Sequence, residues 1–370
     1  GAVYGDSVLM QYSDQFTVPA NHAGIPGISL PAGIGADGLP LGVQLLGADF
    51  SEPLLLRMGR SLEEGTQAEA WRFQVKATVF AAPVLTPGGE LLVGGYDHVL
   101  YSLDPADRYE YWQFDEARDR WIGSPLVADE RIYAPNADYN LYTLDLRGSK
   151  LWSFRADQSL WGTPVSDGEK VYFGSLGGRI YALEAATGEP AWGEDGIELE
   201  GAILGTPVLH DGVLYVGLFT GSLVALDVRD GRLLWEQPLD SWAWSGPLLE
   251  GDALYIGDGD GRLYAFGLDG DQLWKQELNG AIVGPPILIN GEIAVGTDTG
   301  NVYLVSLDGE DIRTISVGGQ VQGPLQAAGM LLQRRQDLGS LLTTFEPRDR
   351  DAGFPQAPAC LDDVIGPRDL

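Results

Sequence analysis

The 370-residue chain carries one cysteine, three histidines and three methionines, and only 23 Lys and Arg residues stand against 53 Asp and Glu. Each shortage excludes something. The lone Cys360 leaves no partner for an internal disulfide and no thiolate cluster for a metal. A formal net charge of −30 excludes a general nucleic-acid or anionic-membrane surface, because both require a basic face. It suits basic or cationic partners instead. His22, His98 and His210 fall in three unrelated contexts, so a His-based metal site is not expected. No apolar run approaches the roughly 18 residues of a spanning helix. No signal peptide is visible; the chain opens at Gly1 without Met, and a preceding segment could have carried one.

What is abundant is glycine, 51 residues, set in a recurring pattern. The stretch from Gly205 to Trp235 shows it best. Four short apolar runs, 206–209, 213–217, 222–226 and 232–235, are separated by His210-Asp211-Gly212, Phe219-Thr220-Gly221 and Arg229-Asp230-Gly231. Glycine after Asp or Thr, between β-branched or aromatic runs, marks tight hairpins. Four strands joined by three hairpins make an antiparallel meander, and the meander recurs.

A proline marks the start of each unit, at Pro83, Pro125, Pro164, Pro207, Pro247, Pro286 and Pro324, with spacings of 42, 39, 43, 40, 39 and 38. Proline early in a first strand is tolerable where that strand is an inner edge, because it removes a ladder donor. A tryptophan marks the fourth strand at Trp71, Trp112, Trp152, Trp192, Trp235 and Trp274. The seventh unit lacks its own Trp, and Trp71 has no three strands before it. Joining the two closes a ring and protects its edges. A period near 40 with four strands per unit is the mark of a propeller blade. The expected fold is therefore mainly β: a seven-bladed β-propeller of four-stranded antiparallel blades over residues 71–347. A linker at 65–70 precedes it and a disordered Pro/Asp-rich tail at 348–370 follows.

The units resemble the PQQ-like repeat family; Val171–Trp192 and Leu254–Trp274 carry its Tyr-x-Gly, Leu-Tyr-Ala and Trp elements. The resemblance implies that each Trp docks between neighbouring blades. It does not imply one activity, because the scaffold hosts enzymes and binding platforms alike. Quinoprotein dehydrogenases of this type bind PQQ with calcium beside adjacent cysteines; here the only Cys lies in the tail, so neither PQQ nor another cofactor is expected. Asp258-Gly259-Asp260-Gly261 resembles the start of a calcium loop, but Arg262 stands where the third oxygen ligand belongs, and Asp269 stands in place of the bidentate Glu. It reads as a hairpin turn.

The binding candidates lie three residues before each proline: Phe80, Ile122, Trp161, Leu204, Trp244, Val283 and Val321, with Trp121 and Trp242 as neighbours. In a propeller these converge near one mouth of the central channel. Phe80, Trp121, Trp161, Trp242 and Trp244 could grip a protein, a peptide or a glycan by stacking plus hydrogen bonds. The alternative is that they plug the channel or pack between blades.

Residues 1–64 do not follow the repeat. Helices are expected near Thr17–Pro19 and from Ser51, which serves as an N-cap; two strands are expected at Gly27–Leu30 and Gly42–Leu46, joined by a Gly/Pro-rich loop. The strings Ser13-Asp14-Gln15-Phe16-Thr17-Val18-Pro19-Ala20-Asn21 and Gly38–Gly47 resemble the C-terminal end of the amidase-signature family, in particular the glutamine-hydrolysing component of glutamyl-tRNA(Gln) amidotransferase. The resemblance implies a small α/β fragment in which Asp14 helps to hold the amino group of glutamine. It also implies a catalytic Ser-Ser-Lys set in a Gly/Ser-rich stretch, and none occurs in these residues. Amide hydrolysis needs an activated nucleophile, so no amidase activity is expected of the chain as it stands. A longer fusion, a chimera joined at a gene or assembly boundary and a domesticated remnant are three open origins.

The expectation is thus a non-catalytic, monomeric propeller that binds a partner at its funnel. The rival is the tail of an amidotransferase fusion. A loose further analogy is to the envelope lipoprotein of this repeat type that helps to assemble outer-membrane barrels. An extracytoplasmic setting suits the propeller, and a cytoplasmic one suits the fusion.

Overall fold

The computed structural model describes the backbone of residues 27–34 and 40–46, and residues 79–104, 109–317, 321 and 325 in full. The chain divides into two units, 1–74 and 75–370. In the first, strands Gly27–Ile34 and Pro40–Leu46 pair antiparallel, with a register irregularity between Pro31 and Gly33. The strands run further into the Gly/Pro-rich loop than expected, because that irregularity lets Gly33 and Ile34 go on pairing, with Leu41 and Pro40. The two expected helices, Asp14 and Trp71 lie outside the described residues.

The second unit is a succession of six four-stranded antiparallel sheets, with no helix among the described residues. Blade 1 comprises Val84–Leu85, Leu91–Gly94, Leu100–Leu103 and Glu110–Phe114. Blade 2 comprises Leu126–Ala128, Arg131–Pro135, Asn140–Asp145 and Lys150–Arg155. Blade 3 follows with Val165–Ser166, Lys170–Gly174, Arg179–Glu184 and Ile197–Glu198. Blade 4 holds Val208–His210, Val213–Leu218, Ser222–Asp227 and Leu233–Pro238. Blade 5 holds Leu248–Glu250, Ala253–Gly257, Arg262–Gly267 and Gln272–Glu277. Blade 6 closes the described series with Ile287–Ile289, Glu292–Gly296, Asn301–Ser306 and Ile312–Ser316. The strands of each blade are hydrogen-bonded in chain order. The elements of a seventh blade lie outside the described residues.

The apolar runs explain the stacking. The second and third strands are buried on both faces, so each blade offers one face to the blade before it and the other to the blade after. Between blades 4 and 5, Tyr215, Leu223 and Ala225 meet Leu254, Ile256, Tyr264 and Phe266. Between blades 3 and 4, Tyr172, Ile180 and Ala182 meet Leu214, Val216, Val224 and Leu226. Full burial of each such large side chain contributes about 1.5–3 kcal/mol. The far face of blade 6 is covered in the same manner, by Val321 and Leu325.

Three details differ from the sequence reading. Each of the first six prolines sits immediately before its first strand rather than inside it, so the missing N–H leaves no gap in the ladder. Trp192 does not lie in a fourth strand; the strand of blade 3 starts only at Ile197, after a loop containing Gly193 and Gly196 at φ 101° and 64°. The register at Val321 is also displaced. Its backbone N–H donates to the Thr297 carbonyl (3.1 Å), as Ile282 donates to Asp258 and Ile203 to Ser175. Those two residues stand four before their prolines and Val321 three, so Pro324 arrives one residue early and Val321 takes a core position rather than a channel one.

The tryptophans show how blades interlock. Indole Nε1 of Trp112, Trp152, Trp192, Trp235 and Trp274 donates to the carbonyls of Leu146, Ala185, Val228, Leu268 and Leu307, each in the next blade, at 2.9–3.2 Å. In blades 1, 2, 4 and 5 the residue before Trp is an extra one opposite the neighbouring strand: Tyr111, Leu151, Leu234 and Leu273. A bulge of this kind re-aims the next side chain. Blade 6 has Arg313, opposite Leu304, where blades 1, 2, 4 and 5 have Trp, and its outer strand pairs without a bulge.

Candidate functional site

Antiparallel meanders place two kinds of segment at one end of the propeller: the turns between second and third strands, and the connections from each fourth strand to the next blade. Trp161 lies on the connection from blade 2 to blade 3, and Trp242 and Trp244 lie on that from blade 4 to blade 5. Trp161 and Trp244 come from connections two blades apart, yet their ring centroids are 6.3 Å apart. Both rings must therefore reach inward. Trp242 and Trp244 meet edge to face at 6.0 Å and 70°. All three are half-buried, and Trp161 and Trp244 rest on a floor formed by Leu176, Ala202 and Leu204.

A fourth ring completes the group. Phe219, in the 2–3 turn of blade 4, stacks on Trp242 at 5.7 Å and 29° and meets Trp244 edge to face at 6.0 Å. The other side of Trp242 is held by Gly259 of blade 5. A Cβ there would lie 2.1 Å from Trp242 Cε2, and the Gly259 N–H donates to the Trp242 carbonyl at 2.9 Å. Trp242 is thus clasped between one turn of each blade. The sequence signals Phe219 only as a departure from the repeat: the corresponding turn position holds Tyr96, Ala137, Leu176, Gly259 and Asp298 in the other described blades.

Two expected members are elsewhere. Trp121 is 1% exposed and sits in the core between blades 1 and 2, edge-on to Phe114 and tilted against Tyr142. It occupies the position four before the proline, and the equivalent residues Leu160, Ile203, Ala243 and Ile282 are all buried to the same degree. Side chains at that position turn down onto the second strand, where a Cβ on Gly94 would meet Trp121 Cβ at 2.5 Å. Only the next residue can face the channel. Phe80 is 51% exposed and stands apart from the group that the tryptophans and Phe219 form. No group of three or more His, Cys, Asp or Glu side chains poised for a metal occurs among the described residues.

The electrostatics around the rings come from turn carboxylates. Asp258 is fully buried and wholly engaged: Oδ1 accepts the N–H groups of Asp260 (3.0 Å) and Arg262 (2.8 Å), and Oδ2 accepts the Tyr264 hydroxyl (2.9 Å). The carboxylate thus closes its own hairpin turn. Burial, with the Asp258 hydrogen bond added, pushes the Tyr264 phenol far up. Arg262 is ringed by Asp240 (3.2 Å), Asp260 (2.9 Å), Asp258 (3.8 Å) and Glu277 (3.8 Å). The hydrogen bond from Lys275, 2.8 Å away, holds the Asp240 carboxyl below its ordinary range. Glu200 stands exposed beside Phe219, where the Thr220 hydroxyl donates to the Glu200 carbonyl at 2.6 Å.

With this geometry in place, the chain can be set beside known proteins. The N-terminal segment, residues 2–56, matches the Amidase family. It is similar to the A subunit of glutamyl-tRNA(Gln) amidotransferase from Bartonella henselae, 43% identical over 72 residues, 19% of this chain and 15% of that protein. The same protein from Xanthobacter autotrophicus is 50% identical over 70 residues, 19% of this chain and 13% of that one. The chain therefore spans about one seventh of these relatives' length. Among solved structures, BamB from Moraxella catarrhalis superposes with a TM-score of 0.61 at 24% identity, covering 70% of this chain and 80% of the other. A computationally designed protein, Ika8, superposes with a TM-score of 0.52 at 14% identity, covering 68% and 91%. Both likenesses concern the fold. Three overlapping matches to one family, over 60–195, 147–241 and 219–315, take in more than half of the sequence, and by them the chain belongs to the β-propeller family described as outer membrane protein assembly factor BamB.

Proposed function

We propose that the propeller is a non-catalytic binding module that takes a protein or peptide partner at its aromatic mouth. One observation carries this reading: Trp161 and Trp244 meet over the channel end, joined to Trp242 and Phe219, and all four remain half-exposed. A large apolar surface left partly open to water marks an interaction site. The family's description as an assembly factor agrees with a protein partner. A glycan is the alternative occupant of the same rings. The proposal includes no cofactor, PQQ among them, and a monomeric propeller over 71–347 whose seventh blade is closed by the Trp71 strand. The cover that Val321 and Leu325 give to the far face of blade 6 supports a further unit there.

The test uses the full chain tagged in its own cells. Trp161→Ala combined with Trp244→Ala removes a specific co-purifying protein without lowering the melting point. An equal fall in melting point would make the rings core residues and end the proposal.

A second reading rests on residues 2–56. Under it the chain is the end of a longer amidotransferase-like enzyme, and Asp14 contributes to glutamine binding there. An in-frame upstream Gly/Ser-rich stretch carrying a Ser-Ser-Lys set supports it; a stop codon immediately upstream removes it.

A further inference from the structure

We infer that the mouth takes a cationic side chain, an arginine above all, presented by an exposed peptide segment of the partner. The inference rests on the reading of the mouth as a protein-binding site and names what that site recognises. Three observations combine. Trp161 and Trp244, both half-buried, meet tilted at 54° with ring centroids 6.3 Å apart, while Trp242, clasped by Phe219 and Gly259, braces Trp244 edge to face. Half-exposed indoles offer a cation the negative faces of their ring quadrupoles.

Charge is the second. The segments touching Trp242 carry Asp240, two residues earlier, and Asp258 and Asp260, which flank Gly259 beneath the ring. With Glu277, four carboxylates surround only two cations, Arg262 and Lys275. An excess of negative charge remains beside the rings, and the exposed Glu200 has no ion-pair partner among the described residues. Against a chain of net charge −30, an anionic or acidic segment is repelled and a cationic one is drawn in.

The third is the chain's own use of the same chemistry. Arg120 lies 5.4 Å over the Tyr96 ring, Arg155 5.2 Å over Tyr139 and Lys275 5.8 Å over Tyr264. Among the described residues no Lys or Arg lies over Trp161, Trp242 or Trp244. The rings best suited to a cation are those the chain leaves to another molecule.

The test titrates the full chain with three probes: a capped hexapeptide containing arginine, the same peptide with the neutral isostere citrulline, and cellohexaose. Tryptophan fluorescence reports binding. The arginine peptide is expected to bind about tenfold more tightly than the citrulline one, with a difference that shrinks as salt rises. Trp161→Leu, and independently the exposed substitution Glu200→Arg, are expected to abolish most of that preference while melting points are read in parallel. Equal binding of both peptides, or a preference that survives both substitutions, overturns the inference and leaves the mouth as a peptide site. Binding of cellohexaose alone overturns it in favour of a glycan. Failure of all three probes, in a chain whose co-purifying partner is still lost in the Trp161/Trp244 variant, overturns it and leaves the binding module standing.

Discussion

The indole of Trp235 stands directly on Gly270 of the following blade: a Cβ on Gly270 would lie 2.9 Å from Trp235 Cδ2, and Gly270 has φ 91°. The same indole donates to the carbonyl of Leu268 at 3.0 Å and tilts against Tyr215 of its own blade at 5.8 Å. Gly148, Gly188, Gly231 and Gly309 receive Trp112, Trp152, Trp192 and Trp274 in the same manner. One residue thus ties three elements together, and the tie repeats around the unit.

Gly270→Ala is expected to cost about 2–3 kcal/mol, because it combines a left-handed backbone with a close approach to a ring. Gly251→Ala is the matched control. Gly251 also has positive φ, at 57°, but no described atom lies within 4 Å of its added Cβ. About 1 kcal/mol is expected there. Urea denaturation of the two variants measures the difference.

Two tryptophans make opposite use of their N–H groups. Trp235→Phe loses a hydrogen bond and leaves the Leu268 carbonyl wanting, so about 1–2 kcal/mol is expected. Trp121 Nε1 is buried with no partner among the described residues. Trp121→Phe removes that unsatisfied donor, which offsets the lost volume, and is expected to lie within about 1 kcal/mol of wild type. Melting points of the two proteins, measured side by side, decide it.

Asp258→Ala strands two part-buried backbone N–H groups and the buried Tyr264 hydroxyl, and about 2–3 kcal/mol is expected from them. A closed turn also means that calcium and EDTA leave the melting point unchanged. A calcium-dependent rise would restore the metal reading.

The tyrosines set an alkaline limit. Burial first, and then hydrogen bonding to Asp97, pushes Tyr101 up to about 12, and burial raises Tyr181 to about 12 as well. A raised folded value means the stabilisation is complete below the ordinary value of 10.0 and is lost as pH climbs towards 12. On the acid side the Arg229 side chain holds Asp227, and the Ser306 hydroxyl holds Asp308, below the ordinary 3.8. That contribution is present above 3.8 and fades as pH falls below it. A pH titration of the melting point should show a plateau between these limits, with the phenolate absorbance of the buried tyrosines rising as the protein unfolds.

The repeat is legible in the sequence because each blade restates it. The apolar second and third strands recur in every unit, in most of them joined by a glycine-containing turn, and six blades appear where they predict them. What stays hidden depends on single-residue register. The bulges at Leu151, Leu234 and Leu273 leave no mark beyond an apolar residue before Trp, and Trp121 differs from its channel-side neighbour only in which way it turns. The mouth is partly legible. Trp161, Trp242 and Trp244 follow from their spacing to proline, whereas Phe219 breaks the repeat and reads as an ordinary turn residue. The closure of a seventh blade through Trp71 concerns residues outside those described.

A photo-crosslinking amino acid placed at Phe219, with a second copy of the experiment at the outer-edge residue Leu273, tests the central claim most directly. In living cells a discrete protein adduct is predicted from position 219 and none from position 273. No adduct from position 219, or the same adduct from both, would contradict a partner held at the aromatic mouth.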